Sequence, residues 1–488
     1  MKKLLSIKRE EWALFGLMFL VICLININFS ILRSMKNALV VGDKGGSAAF
    51  IPYFELFGTF PASILLTCVL SRLMRFCSFR FIFTATMLFF LSFFVIFAFG
   101  IYPYREQIHM LLENKAGLFL GFSRFKVVYT HWPDMVFYIM SELWKVALLS
   151  VIFWGFINQN LSIEKAKRFY PSLMLGSSIG AVLAGPITVL CSSHFSWTFF
   201  ALSSERWQHS LNLLTLFLVI SGLVTLCCFH LLSKHLLTNN KPIQQVKDQK
   251  EKKPFSKHLL SLTSSLKYLV NSPYLSAILL IVVAEYVSYA LGELIFLQTL
   301  KEAYPSPADY CQYMGTLTTW TGVLTSISAL ILTPYALQNF RYSKCALITP
   351  ILMVLMTFAF FFVIYCGKTG ILPPSSYLPF ALVFGSFHYC FGRSIKYTFF
   401  DATKELAFIP LSHEAQVKGK LIIDGIGSRL GRGSSALICI FLFSVMGGPG
   451  ESAIFAGIIA FIFAIIAMPT ARFLGVEFES MESQPVKD

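Results

Sequence analysis

Hydrophobic and polar positions along this chain alternate on the scale of whole helices. Apolar stretches of about 18 residues or more, long enough to cross a hydrocarbon core roughly 30 Å thick, recur from one end to the other. Hydropathy windows predict twelve spans, near 12–36, 50–70, 80–102, 135–157, 171–193, 211–233, 272–299, 316–337, 345–366, 377–400, 420–445 and 451–472. Two polar stretches are longer than the other connections. One is 104–133; the other, 233–268, carries Lys241, Lys247, Lys250, Lys252, Lys253 and Lys257. The expectation is an all-α polytopic membrane protein, with an N-terminal six-helix half over 1–233, a basic cytoplasmic linker over 234–268 and a C-terminal six-helix half over 269–488.

Composition agrees. Of 488 residues 56% are apolar and only 13% charged, too few charges for a soluble chain of this size. A net charge of +15 would suggest a nucleic-acid partner in a soluble protein, but here it reports orientation. Placing the N-terminus in the cytoplasm gathers Arg72, Arg75, Arg80, Lys165, Lys167, Arg168, the lysine-rich linker, Arg341, Lys344, Lys404 and Arg472 on one side. Both termini are therefore expected inside, with no nucleic-acid partner. The basic start, followed by Trp12–Asn26 without a small-residue cleavage site, reads as an uncleaved first span. The 11 cysteines lie mostly within apolar runs and form no Cys-x-x-Cys pair, so they read as small buried hydrophobes; no metal and no cofactor is expected.

Two faint repeats link the halves. Lys167 precedes Gly176 and Gly180 by the same intervals as Lys418 precedes Gly427 and Gly431, at an offset of 251. In the first span Lys36 follows Asn28 by eight, and in the seventh Lys301 follows Glu293 by eight, with Leu32 and Leu297 in register. Pairing fifth with eleventh and first with seventh is the pattern of a duplicated carrier.

An ionised group deep in a bilayer costs at least about 2.5–3.5 kcal/mol, so it faces a partner or a water-filled cavity. Such groups are Arg33, Lys36, Glu142, Lys145, Glu285, Glu293, Arg393, Lys396, Asp424, Arg429 and Arg432; for Arg393 and Arg429, snorkelling to a membrane face is an equal alternative. Cations outnumber acids, which points to an anionic substrate such as a phosphate chain. Enzyme constellations are missing: there is no His-Glu-x-x-His and no phosphate-binding Gly-x-x-x-x-Gly-Lys-Ser/Thr loop. Gly176-Ser177-Ser178-Ile179-Gly180 matches a hydrolase serine motif formally, but inside an apolar span, where the glycines read as helix-packing positions. No catalytic residue is expected, and transport without a nucleotidase loop would be secondary.

The motifs resemble the non-mitochondrial ATP/ADP translocases, the nucleotide transporters of obligate intracellular bacteria and plastids. The resemblance is carried by Ile31-Leu32-Arg33-Ser34-Met35-Lys36, Ser141-Glu142-Leu143-Trp144, Phe153-Trp154-Gly155-Phe156 and Ala166-Lys167-Arg168-Phe169-Tyr170. In the second half it continues through Pro307-Ala308-Asp309-Tyr310, Trp320-Thr321-Gly322, Phe400-Asp401-Ala402-Thr403-Lys404-Glu405 and Val417-Lys418-Gly419-Lys420. It implies twelve helices in a major-facilitator-like arrangement, and functional weight on Lys36, Glu142, Glu293 and Lys420. Five positions depart from the family pattern. Ser34 and Asn37 stand where acids flank the first-span lysine, Lys145 replaces a Gly, Arg432 a Lys and Ala290 an Asn. The cavity is more cationic than the pattern implies.

The resulting expectation is a monomeric secondary transporter moving nucleotides across a bacterial inner membrane by alternating access. Lys36, Arg33, Lys145, Lys420, Arg432 and Lys396 would bind phosphates; Glu142, Glu293 and Asp424 would gate or couple. An ion-pair role with Lys36 or Lys420 is expected for at least one glutamate. Alternatives are a proton-coupled symporter of other nucleotides or NAD, and a membrane-embedded transferase, which would need an acid or His pair at one membrane face.

Overall fold

The computed structural model describes residues 11–482, apart from 44, 106, 109–130, 162, 201–202, 204, 240–271 and most of 412–426. The described residues form helices and their connections, without a strand. The reason is the solvent: hydrocarbon offers a backbone no hydrogen-bond partners, so a spanning segment must satisfy its own.

In chain order the long helices are α1 (Trp12–Gly42), α2 (Phe50–Phe76), α3 (Phe79–Tyr104), α4 (Trp132–Asn160), α5 (Ile163–Ser192), α6 (Arg206–Asn239), α7 (Pro273–Ala303), α8 (Pro307–Asn339), α9 (Tyr342–Lys368), α10 (Pro374–Ile395), α11 (Ser428–Met446) and α12 (Pro449–Glu482). Among the described residues ten are long and apolar enough to cross a membrane. The others are α10, interrupted by Ser386, His388 and Arg393, and α11, whose apolar part Leu430–Met446 is shorter.

Two compact units form: residues 1–245 with 304–323, and residues 246–303 with 324–488. In the first, α1 packs on α4, α5 and α6; in the second, α7 packs on α10, α11 and α12. The same helix order thus recurs six helices later. α1 and α7 are buried on nearly every face, whereas in Phe60–Phe76 of α2 only Leu70 is buried. Outer helices present Leu65, Phe76, Phe81, Phe89, Ile96 and Leu190 outward, a surface suited to lipid.

Lipid tails are as apolar as leucine, so helices in a bilayer associate through close packing more than by leaving solvent. Glycines supply it. A Cβ on Gly180 of α5 would lie 2.8 Å from the Cys23 carbonyl of α1, and one on Gly431 of α11 would lie 2.6 Å from Tyr286 Cβ of α7. Gly180 and Gly431, from the 251-residue match, thus do the same work in each unit. In the first unit, the start of α8 also meets α5 closely: a Cβ on Gly185 would approach the Gly315 carbonyl to 2.6 Å. Arg206 of α6 bonds Asp309 beside it at 2.7 Å.

Candidate functional site

Each unit concentrates its membrane-depth charges where its innermost helix meets the fourth helix of its set. In the first unit the Trp144 indole N–H donates to the Ile25 carbonyl at 3.1 Å, pinning α4 against α1. This register brings Lys36, 5% exposed, to Glu142: Nζ donates to Oε1 at 2.5 Å. The ammonium also lies 3.7 Å from the centre of the Tyr138 ring, whose hydroxyl donates to Glu55 of α2 at 3.2 Å. One turn beyond Glu142, Lys145 approaches the Phe29 ring at 5.1 Å, and Arg33 approaches the same ring at 4.6 Å. Phe29 therefore carries two cations of the same unit.

In the second unit Arg393 of α10 donates to Glu293 of α7 at 2.8 Å, to the Tyr289 hydroxyl at 3.2 Å and to the Tyr389 hydroxyl at 3.0 Å. Lys396 stands 3.2 Å from the centre of the Tyr286 ring, and Arg432 of α11, largely exposed, reaches the same ring at 5.7 Å. Both Lys145 and Lys396 open π-helical stretches, Lys145–Phe153 and Lys396–Phe400. The wider turn of a π-helix shifts side chains around the axis and is frequent at functional positions.

The two constellations correspond residue by residue. Tyr138, Glu142 and Lys145 lie 251 residues before Tyr389, Arg393 and Lys396, while Asn28, Phe29 and Lys36 lie 257 residues before Glu285, Tyr286 and Glu293. Each ion pair joins the first and fourth helix of its set, each beside a tyrosine, with the charges exchanged: Lys36 with Glu142, Glu293 with Arg393. These contacts set the first and seventh spans in a register of 257, eight less than the match of Leu32 with Leu297. Lys301 therefore does not stand for Lys36, although both share the same spacing from a polar residue.

Electrostatics separates two classes of cation. Lys36 and Arg393 are neutralised within their own units. Lys396, only 7% exposed, has no carboxylate within ion-pair distance among the described residues. Removing an ammonium from water costs several kcal/mol, and a cation–π contact returns about 2 kcal/mol when desolvated. The balance leaves Lys396 ready for an anion.

Of the residues the sequence nominates, Lys36, Arg33, Lys145 and Glu142 come together in the first unit, and Lys396, Arg432 and Glu293 in the second. Lys420 and Asp424 lie outside the described residues. Both glutamates occupy ion pairs, and the partner of Glu293 is Arg393, for which snorkelling had equal standing. The aromatic partners Tyr138, Tyr286, Tyr289 and Tyr389 gave no sequence signal of their own; the 251-residue interval applied to Glu142 would have reached Arg393.

Comparison with known proteins supplies the frame for this geometry. A family profile described as TLC ATP/ADP transporter matches residues 1–478. An ADP,ATP carrier protein 1 of Chlamydia muridarum is 32% identical over 469 residues, covering 94% of this chain and 88% of the relative. ADP,ATP carrier protein 3 of Rickettsia prowazekii is 30% identical over 94% of this chain and 92% of its own length. The chloroplastic ADP,ATP carrier protein 1 of Arabidopsis thaliana is 32% identical over 96% of this chain and 74% of its own length. Among solved structures, the nucleoside transporter NupG superposes with a TM-score of 0.58 at 10% identity, covering 96% of this chain and 99% of that one. The xylose transporter XylE from E. coli gives 0.52 at 13% identity over 93% and 95%. These two likenesses describe the fold.

Proposed function

This chain belongs to the TLC ATP/ADP transporter family, and from that premise we propose that it exchanges ATP and ADP across the inner membrane of an intracellular bacterium. It acts as a multi-pass monomer with both termini in the cytoplasm, by alternating access and without a catalytic step. The observation that carries this reading is Lys396, a buried ammonium held against an aromatic ring with no carboxylate in ion-pair distance among the described residues.

In the first unit Lys145 and Arg33, around Phe29, and Lys36 offer charge to phosphate oxygens; in the second Lys396 and Arg432 do so around Tyr286, and Lys420, outside the described residues, takes the same role. Charge-assisted bonds to an ionised group contribute about 1.5–3 kcal/mol each. Glu142 and Glu293 hold Lys36 and Arg393 while no phosphate competes, and Asp424 serves as a further gating acid. An unloaded carrier must move with buried cations uncompensated, which is costly. A loaded one does not, and that difference favours exchange over one-way movement.

The test is uptake of labelled ATP into vesicles carrying the purified chain, with and without internal ADP and with a protonophore. Exchange requires internal ADP and survives the protonophore. Uptake that ignores internal nucleotide and stops with the protonophore would replace exchange by symport.

A further inference from the structure

The repeat leaves one pair of residues unexplained. Asn28 and Glu285 hold equivalent positions, each just before the aromatic residue that carries the cations of its unit. Asn28 is 0% exposed and neither its amide oxygen nor its nitrogen has a hydrogen-bond partner; Glu285 is 2% exposed and its Oε1 has none. Glu285 joins no ion pair among the described residues. A buried polar atom without a partner costs about 1–3 kcal/mol, more when charged, so two at matching places call for a functional reason. In the second half that position is ionisable.

Among the described residues, the charged groups within electrostatic reach of Glu285 are Lys396, whose ammonium lies against the ring of the adjacent Tyr286, and Asp401. Arg432 of α11 reaches the neighbouring Tyr286 ring, and His388 of α10 stacks on Tyr289 one turn along α7. Thr357 of α9 faces Ser288, and the buried positions of α9 and α12 carry no charge. Lys396, a cation with no carboxylate in ion-pair distance among the described residues, thus shares the Tyr286 neighbourhood with Glu285.

We propose that Glu285 is a proton-binding site linked to the nucleotide site, so that a phosphate group bound at Lys396 brings one proton onto the Glu285 carboxyl. The proposal rests on the transport reading above. The phosphate cancels the field of Lys396, the buried carboxylate keeps less to offset its charge, and it takes a proton from solvent while no other bond changes. Linkage makes this reciprocal: a proton on Glu285 frees Lys396 for phosphate and strengthens nucleotide binding. ATP and ADP would each travel with the same proton, so their exchange moves no net proton and stays indifferent to a protonophore. Asn28, which cannot titrate, confines the linkage to one half.

The experiment measures ADP binding to the full purified chain in lipid nanodiscs over about pH 5 to 8, for the wild type and Glu285→Gln. With one linked proton the wild-type Kd rises by up to about tenfold per pH unit beyond the rise in Glu285→Gln. The titration of the nucleotide phosphate is common to both and cancels in the comparison. Equal slopes overturn the proposal. Should Glu285→Gln fail to fold, calorimetry of the wild type in buffers of different ionisation enthalpy counts the protons taken up per ADP, and none at any pH overturns it equally. A wild type that exchanges ADP with no excess slope sinks the proton site alone, whereas one that binds no ADP at any pH removes the transport reading with it.

Discussion

Glu142 and Lys396 show how neighbours decide what one charged side chain does. Glu142 shares its charge with Lys36 at 2.5 Å, so Glu142→Gln leaves a buried cation without its counter-ion, a loss of about 3–5 kcal/mol when such a pair is broken. Exchange and accumulation should then fall together, measured as ATP/ADP exchange and net uptake in the same vesicles; loss of accumulation with normal exchange would mark Glu142 as a proton carrier instead. For Lys396→Ala, loss of a charge-assisted phosphate contact of about 1.5–3 kcal/mol lowers apparent ADP affinity about tenfold to a hundredfold. Lys250→Ala, in the basic linker, should leave it unchanged in the same assay. Arg432→Lys keeps the charge and loses the planar fork, so partial exchange activity is expected; full activity would place Arg432 outside the phosphate contacts.

At the scale of the element, helix contact depends on what a small residue lets past. Gly180 and Gly431 bring α5 onto α1 and α11 onto α7, with no room for a Cβ. Gly180→Ala and Gly431→Ala should each destabilise by about 1–3 kcal/mol, the usual cost of overpacking. Gly433→Ala, where an added Cβ meets nothing within 4 Å, should not. Thermal unfolding in detergent separates them; equal midpoints for all three would show that the glycine contacts are slack. The π-helical stretches starting at Lys145 and Lys396 belong to this scale too. Neither was visible in the hydropathy pattern, because inserting one residue into a turn changes the facing of later side chains but not how apolar the span is.

For the whole molecule, the distribution of basic residues predicts orientation, and the check is independent of transport. Reporter domains fused at either end should both report the cytoplasm; one terminus outside would require an odd number of crossings and overturn the six-plus-six division. The internal repeat has a structural counterpart: the same helix neighbours, the same glycine contacts and the same tyrosine-flanked ion pair appear in each unit, with the charges exchanged between helices. Exchanging the charges of one pair, Lys36→Glu with Glu142→Lys, should recover only part of the exchange lost in either single variant, since the ion pair is restored in a polarity the other half already tolerates but the phosphate contact of Lys36 is not. Full recovery would mean that Lys36 serves the ion pair alone.

The sequence by itself determined the solvent of this protein, the helical class and the intramembrane charges, because a bilayer imposes length and hydropathy on every span and taxes every ion within it. Its motifs also disclosed the family. Tertiary structure alone decided which charges neutralise each other and which, among the described residues, have no carboxylate in ion-pair distance. Lys36 and Lys396 look alike along the chain, but one meets Glu142 and the other a tyrosine face, and that depends on helix contacts between residues more than 100 positions apart. Register was decided there as well: a spacing of eight recurs at Asn28 with Lys36 and at Glu293 with Lys301, but helix rotation and depth bring only one of those lysines into an equivalent place.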